Sequence, residues 1–173
     1  MIIIVNQGMN VYFVRHAKSS WNNSNLSDIE RPLNNRGLAT APKMAEFLLK
    51  NQKFDSFCIF SSPAERAFVT ASYFADVLKI PHSDIVKHEA LYFGTSLDYI
   101  ECVNLVKSDV DSILIFGHNP ILGELAGQLE NPYFGLVPTC SIIHAVLNRK
   151  NSQTVYKDFE IKNVYIPKII LQS

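Results

Sequence analysis

Short apolar runs recur along this chain, and each stops abruptly at polar residues. Asn10-Val11-Tyr12-Phe13-Val14 is β-branched and aromatic, which predicts a buried strand ending at Arg15-His16. Phe57-Cys58-Ile59-Phe60 predicts a second strand, ending at Ser61-Ser62. Ser112-Ile113-Leu114-Ile115-Phe116 predicts a central third, running straight into Gly117-His118-Asn119-Pro120. Ile85-Val86-Lys87-His88 reads as a shorter strand leading to Glu89-Ala90-Leu91-Tyr92.

Between these runs the apolar spacing becomes helical. Leu38, Ala41, Ala45 and Leu48 share a face up to about Asn51, and Pro42 among them predicts a kink or a helix starting there. In Ser62-Pro63-Ala64-Glu65, Ser62 is placed to cap a helix, Pro63 to open it and Glu65 to close a capping box. Arg66 then falls in the first turn, and Ala67, Ala71, Phe74, Ala75 and Leu78 face inward. Thr95-Ser96 opens a helix with Leu97, Ile100, Val103 and Val106 directed at the core. Asn119 as cap and Pro120 as first residue predict a further helix to about Leu129.

Pro132 to Pro138 reads as loop, and Ser141 to Leu147 as a strand. A turn at Arg149-Lys150-Asn151-Ser152 joins that strand to another from Thr154 to Ile161, forming a hairpin. Strands alternating with helices define an α/β fold. The expected architecture is a three-layer sandwich with a mainly parallel central sheet, helices on both faces and antiparallel character at one edge.

Composition narrows the picture further. A chain of 173 residues suits one domain with a full core. We expect residues 1–8 to be an extension, with Met9 an alternative start, and residues 9–173 to form the domain. Lys plus Arg and Asp plus Glu both number 16, so no net field draws the chain to nucleic acid or to an anionic membrane. Any basic site must be local. The aromatic residues are distributed like a core and not like a stacking platform for nucleic acid. Cys58, Cys102 and Cys140 are widely spaced and form no C-x-x-C pattern, as expected of reduced thiols in a cytoplasmic protein. Met1-Ile2-Ile3-Ile4-Val5 is too short to span a bilayer and has no basic leader before it.

Three strand-to-helix junctions carry anion-binding residue types: Arg15-His16, Arg66 and His118. In a parallel sheet the carboxyl ends of the strands share one edge, so residues remote in sequence converge there. Helix amino termini add N–H groups and positive dipole ends. A guanidinium beside an imidazole suits both binding of and attack on a phosphoryl group. No carboxylate cluster suggests a metal, and no cofactor motif is present.

The blocks Val14-Arg15-His16-Ala17-Lys18-Ser19-Ser20-Trp21, Asp28-Ile29-Glu30-Arg31-Pro32-Leu33-Asn34 with Arg36-Gly37, Ser61-Ser62-Pro63-Ala64-Glu65-Arg66-Ala67 and Gly117-His118-Asn119-Pro120 resemble the histidine phosphatase superfamily. They follow its order and cover about residues 11 to 129. The Asp-x-x-Arg-Pro-Leu segment and the short chain are similar to its small phosphohistidine phosphatase (SixA-like) branch, whose fold is phosphoglycerate mutase-like. The resemblance implies that His16 is a nucleophile that becomes phosphohistidine, that Arg15 and Arg66 clamp the phosphoryl oxygens, and that His118 donates to them. By the same resemblance Glu89 is the best-placed general acid, with Asp28 able to reach the mouth of the site. Lys18, Arg31 and Asn119 are candidate substrate-binding residues, although Arg31 can instead pair with Asp28 to pin its loop.

The expected activity is phosphatase, acting on phosphohistidine in a protein. The alternatives are a small-molecule phosphomonoesterase or a phospho-ligand binding module without turnover. Mutase activity needs a lid to keep water from the phosphoenzyme, and the sequence offers little from which to build one.

Overall fold

The computed structural model describes residues 8–107, 109–129, 136–148 and 156–172. Among the described residues six strands form one sheet: β1 (Met9–Arg15), β2 (Phe57–Ser61), β3 (Ile85–Lys87), β4 (Ser112–Gly117), β5 (Ile142–Leu147) and β6 (Phe159–Tyr165). Their order is β3-β2-β4-β1-β5-β6. The pairs β3-β2, β2-β4 and β4-β1 are parallel, whereas β5 runs antiparallel to β1 and β6 antiparallel to β5.

The alternation of side chains along the strands builds two cores. Val11 and Phe13 of β1, with Ile113 and Ile115 of β4, pack one face against Ile100, Val103, Leu122 and Leu125. These come from α4 (Ser96–Asn104) and α5 (Ile121–Gln128). Tyr12, Val14, Leu114 and Phe116 point the other way, onto Met44 and Leu48 of α1 (Asn35–Asn51) and Phe74 of α2 (Glu65–Leu78). Phe74 meets Phe116 edge-on at 5.0 Å between ring centroids. The expected three layers are therefore present, with short helices α3 (Ala90–Phe93) and α6 (Pro167–Ile170) at the periphery.

Local details depart from the sequence expectations in instructive ways. The first long helix does not restart at Pro42: α1 runs through it, capped by Asn34, whose side chain accepts from the Gly37 N–H. Proline lacks the N–H that would reach the Leu38 carbonyl. Leu38, which shares the predicted apolar face, is 42% exposed. The capping box expected at Ser62 is absent: α2 begins at Glu65 with Ala64 in the cap position. Likewise Pro120, not Asn119, occupies the cap position of α5, behind a cis Asn119–Pro120 peptide. Leu97 lies outside the core at 57% exposure, because the Thr95–Asp98 capping box fixes where α4 starts.

The closing hairpin forms, but β6 begins at Phe159 after a 3-10 turn at Tyr156–Asp158, and so runs later than Thr154 to Ile161. Its turn at residues 149–152, Pro132 and residues 1–7 lie outside the described residues. Among the described residues no helix is long and apolar enough to cross a membrane.

Candidate active site

Register places the chemistry. Arg15 pairs with Gly117 and Ser61 with Phe116, so β1, β2 and β4 end together at one edge of the sheet. The next residues, His16, Ser62 and His118, leave that edge side by side. His16 N–H donates to the Gly117 carbonyl, and Ser62 N–H to the Phe116 carbonyl. From the other side Cys140 donates its N–H to the carbonyls of Arg15 and His16, at 3.0 and 3.1 Å. Cys140 does so with φ at 62°, a conformation non-glycine residues adopt at a cost of about 1–2 kcal/mol. Gly117 is needed where it stands: a Cβ there would lie 1.8 Å from the Tyr99 hydroxyl, which receives the His118 N–H.

The edge opens into a cavity of about 330 Å³ lined by, among others, Arg15, His16, Lys18, Arg31, Arg66 and His118. His16 and His118 are each 7% exposed, with ring centroids 5.0 Å apart. Burial pulls the His16 pKa down to about 3; the Ala17 carbonyl opposes this, and the charges of Arg66, Arg15 and Arg31 reinforce it. His118 falls to about 2, again mainly through burial, with His16 and Arg66 adding to it. Both imidazoles are thus neutral near pH 7.

One hydrogen bond fixes the His16 tautomer. A carbonyl can only accept, so His16 Nδ1 donates to the Ala17 oxygen at 2.7 Å, which leaves the lone pair on Nε2. The Ser62 hydroxyl accepts from the Ala64 N–H and lies 2.8 Å from His118 Nε2. Its own hydrogen can donate to that nitrogen, the arrangement that leaves the His118 proton on Nδ1. Among the described residues, His118 Nδ1, Arg15 Nε and Arg66 Nε are all buried without a partner. Three N–H groups that would each be costly to leave unmet therefore belong to residues lining one cavity.

The two guanidiniums are held by their remaining arms. Arg15 Nη1 donates to the Val137 carbonyl at 2.6 Å. Arg66 Nη2 reaches Asp28 Oδ2 at 2.8 Å, and its Nη1 donates to the Asp28 carbonyl. Asp28 also accepts from Arg31 Nε at 2.8 Å and from the Tyr92 hydroxyl at 2.7 Å. Desolvation alone would raise its pKa, but the hydrogen bonds from Tyr92, Arg31 and Arg66 outweigh it and hold the carboxyl well below the usual range.

Of the residues singled out from sequence, Arg15, His16, Lys18, Arg31, Arg66, His118 and Asn119 all line the cavity. Asn119 donates its Nδ2 to the Val137 carbonyl, the same oxygen that holds Arg15. Glu89 is not brought in: it is exposed, immediately ahead of α3, and outside the cavity lining. The sequence reading also gave no role to Trp21 or Thr139, which line the cavity, nor to Ser62 as the partner of His118. Trp21 could have been noticed as the sole tryptophan, only five residues past His16. Among the described residues no group of three or more His, Cys, Asp or Glu is placed to hold a metal ion.

A neutral imidazole with its lone pair free shares one cavity with two guanidiniums and a second imidazole, at the end of the parallel strands of an α/β domain. The family model of the histidine phosphatase superfamily (branch 1) matches residues 11–92, so nearly half of the chain is similar to that superfamily. It is 28% identical over 166 residues to the phosphohistidine phosphatase SixA of Escherichia coli K12, covering 94% of this chain and 100% of that protein. Among solved structures, the protein histidine phosphatase SixA complexed with tungstate has a TM-score of 0.76 at 22% identity, covering 94% of this chain and 99% of that one. Phosphoserine phosphatase from Entamoeba histolytica, in complex with 3-phosphoglyceric acid, shares the fold at a TM-score of 0.63 and 16% identity, covering 91% and 97%.

Proposed function

We propose that this chain is a phosphatase that works through a phosphohistidine on His16, and that its substrate is a phosphorylated histidine carried by a protein. The observation that carries this reading is that Arg15 Nε, Arg66 Nε and His118 Nδ1, nitrogens of residues lining one cavity with a neutral His16, are buried and have no partner among the described residues. A phosphoryl group brings about two negative charges and three acceptor oxygens to meet them.

In the first step the His16 Nε2 lone pair attacks phosphorus. A nitrogen–phosphorus bond forms as the bond to the leaving group breaks, and the leaving group departs with the bonding electrons. Arg15 and Arg66 stabilise the charge on the equatorial oxygens, and His118 donates Nδ1–H to them. The Ala17 carbonyl stabilises the positive charge that develops on the imidazole. Water then attacks the phosphohistidine, releasing inorganic phosphate and restoring His16. Asp28 holds Arg66 in place and, being ionised and fully engaged, is no proton donor. A leaving imidazole of substrate can itself take up the proton, so the first step needs no enzyme acid.

Likeness to the SixA phosphohistidine phosphatases over nearly the whole chain supports the protein substrate. The half-exposed Asp28 and the exposed Lys18 and Trp21 at the cavity support it too, since they leave room for a bulky phosphorylated surface. Hydrolysis of a chromogenic aryl phosphate tests the reading. Turnover by the natural chain, and a loss of about 10³-fold or more in His16→Ala, is expected of a deleted nucleophile. Equal and negligible rates in both would make the chain a phospho-ligand binding module instead.

A further inference from the structure

We infer that Trp21 selects the leaving group, stacking its indole on a flat aromatic group attached to the phosphorus. This rests on the phosphatase reading and specifies the substrate class of the same cavity.

Trp21 lines the cavity together with His16, Arg66 and His118, yet it is 73% exposed. Large aromatic side chains are usually covered, and one left open at the rim of an anion pocket offers a face to whatever the anion carries. The indole is also held in place. The Arg31 guanidinium lies 3.6 Å from its ring centroid, and Arg31 is itself fixed by Asp28 at 2.8 Å and by Ser19 Oγ at 2.7 Å. Arg31 stacks on the ring, and Trp21 still keeps 73% of its surface open. Asp28 ties this support to the clamp residue Arg66, so the wall and the phosphoryl pocket share one anchor.

The cavity floor recognises phosphoryl oxygens and is blind to what lies beyond them. A propped indole at the rim discriminates there: an imidazole or aryl ring stacks on it, while a flexible alkyl chain gains little. Stacking of this kind contributes to the bound state, so it is read in binding as well as in turnover.

The test compares phenylphosphonate with methylphosphonate as stable ligands, by inhibition and by fluorescence of the sole tryptophan. The natural chain should prefer phenylphosphonate by about tenfold, with quenching of Trp21 by the phenyl ligand, a preference equivalent to about 1.4 kcal/mol. Trp21→Ala should lose the preference through weaker phenylphosphonate binding while methylphosphonate binding stays unchanged, and Trp21→Phe should keep most of it. Equal affinities in the natural chain, or a preference retained in Trp21→Ala, would overturn the inference. Neither outcome bears on catalysis, because aryl phosphate turnover is measured separately. Failure to bind either phosphonate would overturn the phosphoryl-site reading and this inference with it.

Discussion

Arg66 and Asp28 lie 38 positions apart in the chain and meet twice, through the carboxylate at 2.8 Å and through the Asp28 main-chain carbonyl. One residue of a short 3-10 turn, Asp28–Glu30, therefore orients a guanidinium on the first turn of α2. The same carboxylate holds Arg31 and Tyr92, so its removal loosens one whole side of the cavity.

Asp28→Ala should lower kcat/KM for an aryl phosphate by about tenfold or more, through a guanidinium no longer held in register. Asp28→Asn should recover part of this, because its amide oxygen still accepts from Arg66. Steady-state kinetics of the two variants decide the matter, and unchanged values in both would remove Asp28 from any positioning role.

Strand ends were readable from sequence because a strand's hydrophobic run is local and so is its stop. Thus Arg15, His16 and His118 could be placed on one edge before any coordinates. Arg66 was readable as well, since it falls in the first turn of α2 whichever residue caps that helix. The Asp28 anchor was not, beyond its pairing with Arg31, because it depends on how a short 3-10 turn packs against a helix remote in sequence. The acceptor that fixes His16 was invisible for a different reason: it is the backbone carbonyl of Ala17, and a carbonyl leaves no mark in the sequence. Ser62 misled because serine before proline reads as a cap, whereas its hydroxyl is used by His118.

The two neutral histidines make folding stability depend on pH. Their folded-state pKa values, about 3 and about 2, lie below the ordinary 6.5, so the unfolded chain binds more protons once the pH drops beneath 6.5. Stability from these groups is complete above pH 6.5 and declines as the pH falls toward 3. The slope approaches about 1.4 kcal/mol per pH unit for each histidine. Urea unfolding at pH 7 and pH 5 should show a lower midpoint at pH 5, and a His16→Gln/His118→Gln double variant a smaller difference. An undiminished difference in that variant would locate the effect elsewhere.

Glu89 stands outside the cavity, and a phosphorylated imidazole needs no enzyme acid to depart. Glu89→Gln should therefore leave kcat for phosphoimidazole within about twofold, against the roughly hundredfold or greater loss that deleting a general acid brings. A loss of that larger size would return Glu89 to the mechanism as the proton donor.

The most direct measurement is rapid alkaline quenching of the enzyme during turnover of a phosphorylated substrate, followed by location of the bound phosphoryl group by mass spectrometry. An acid-labile, base-stable phosphoryl group on His16 Nε2, absent from His16→Ala, is the predicted result. Turnover with no such species at any time from milliseconds onward, or a label equally present in His16→Ala, would contradict it.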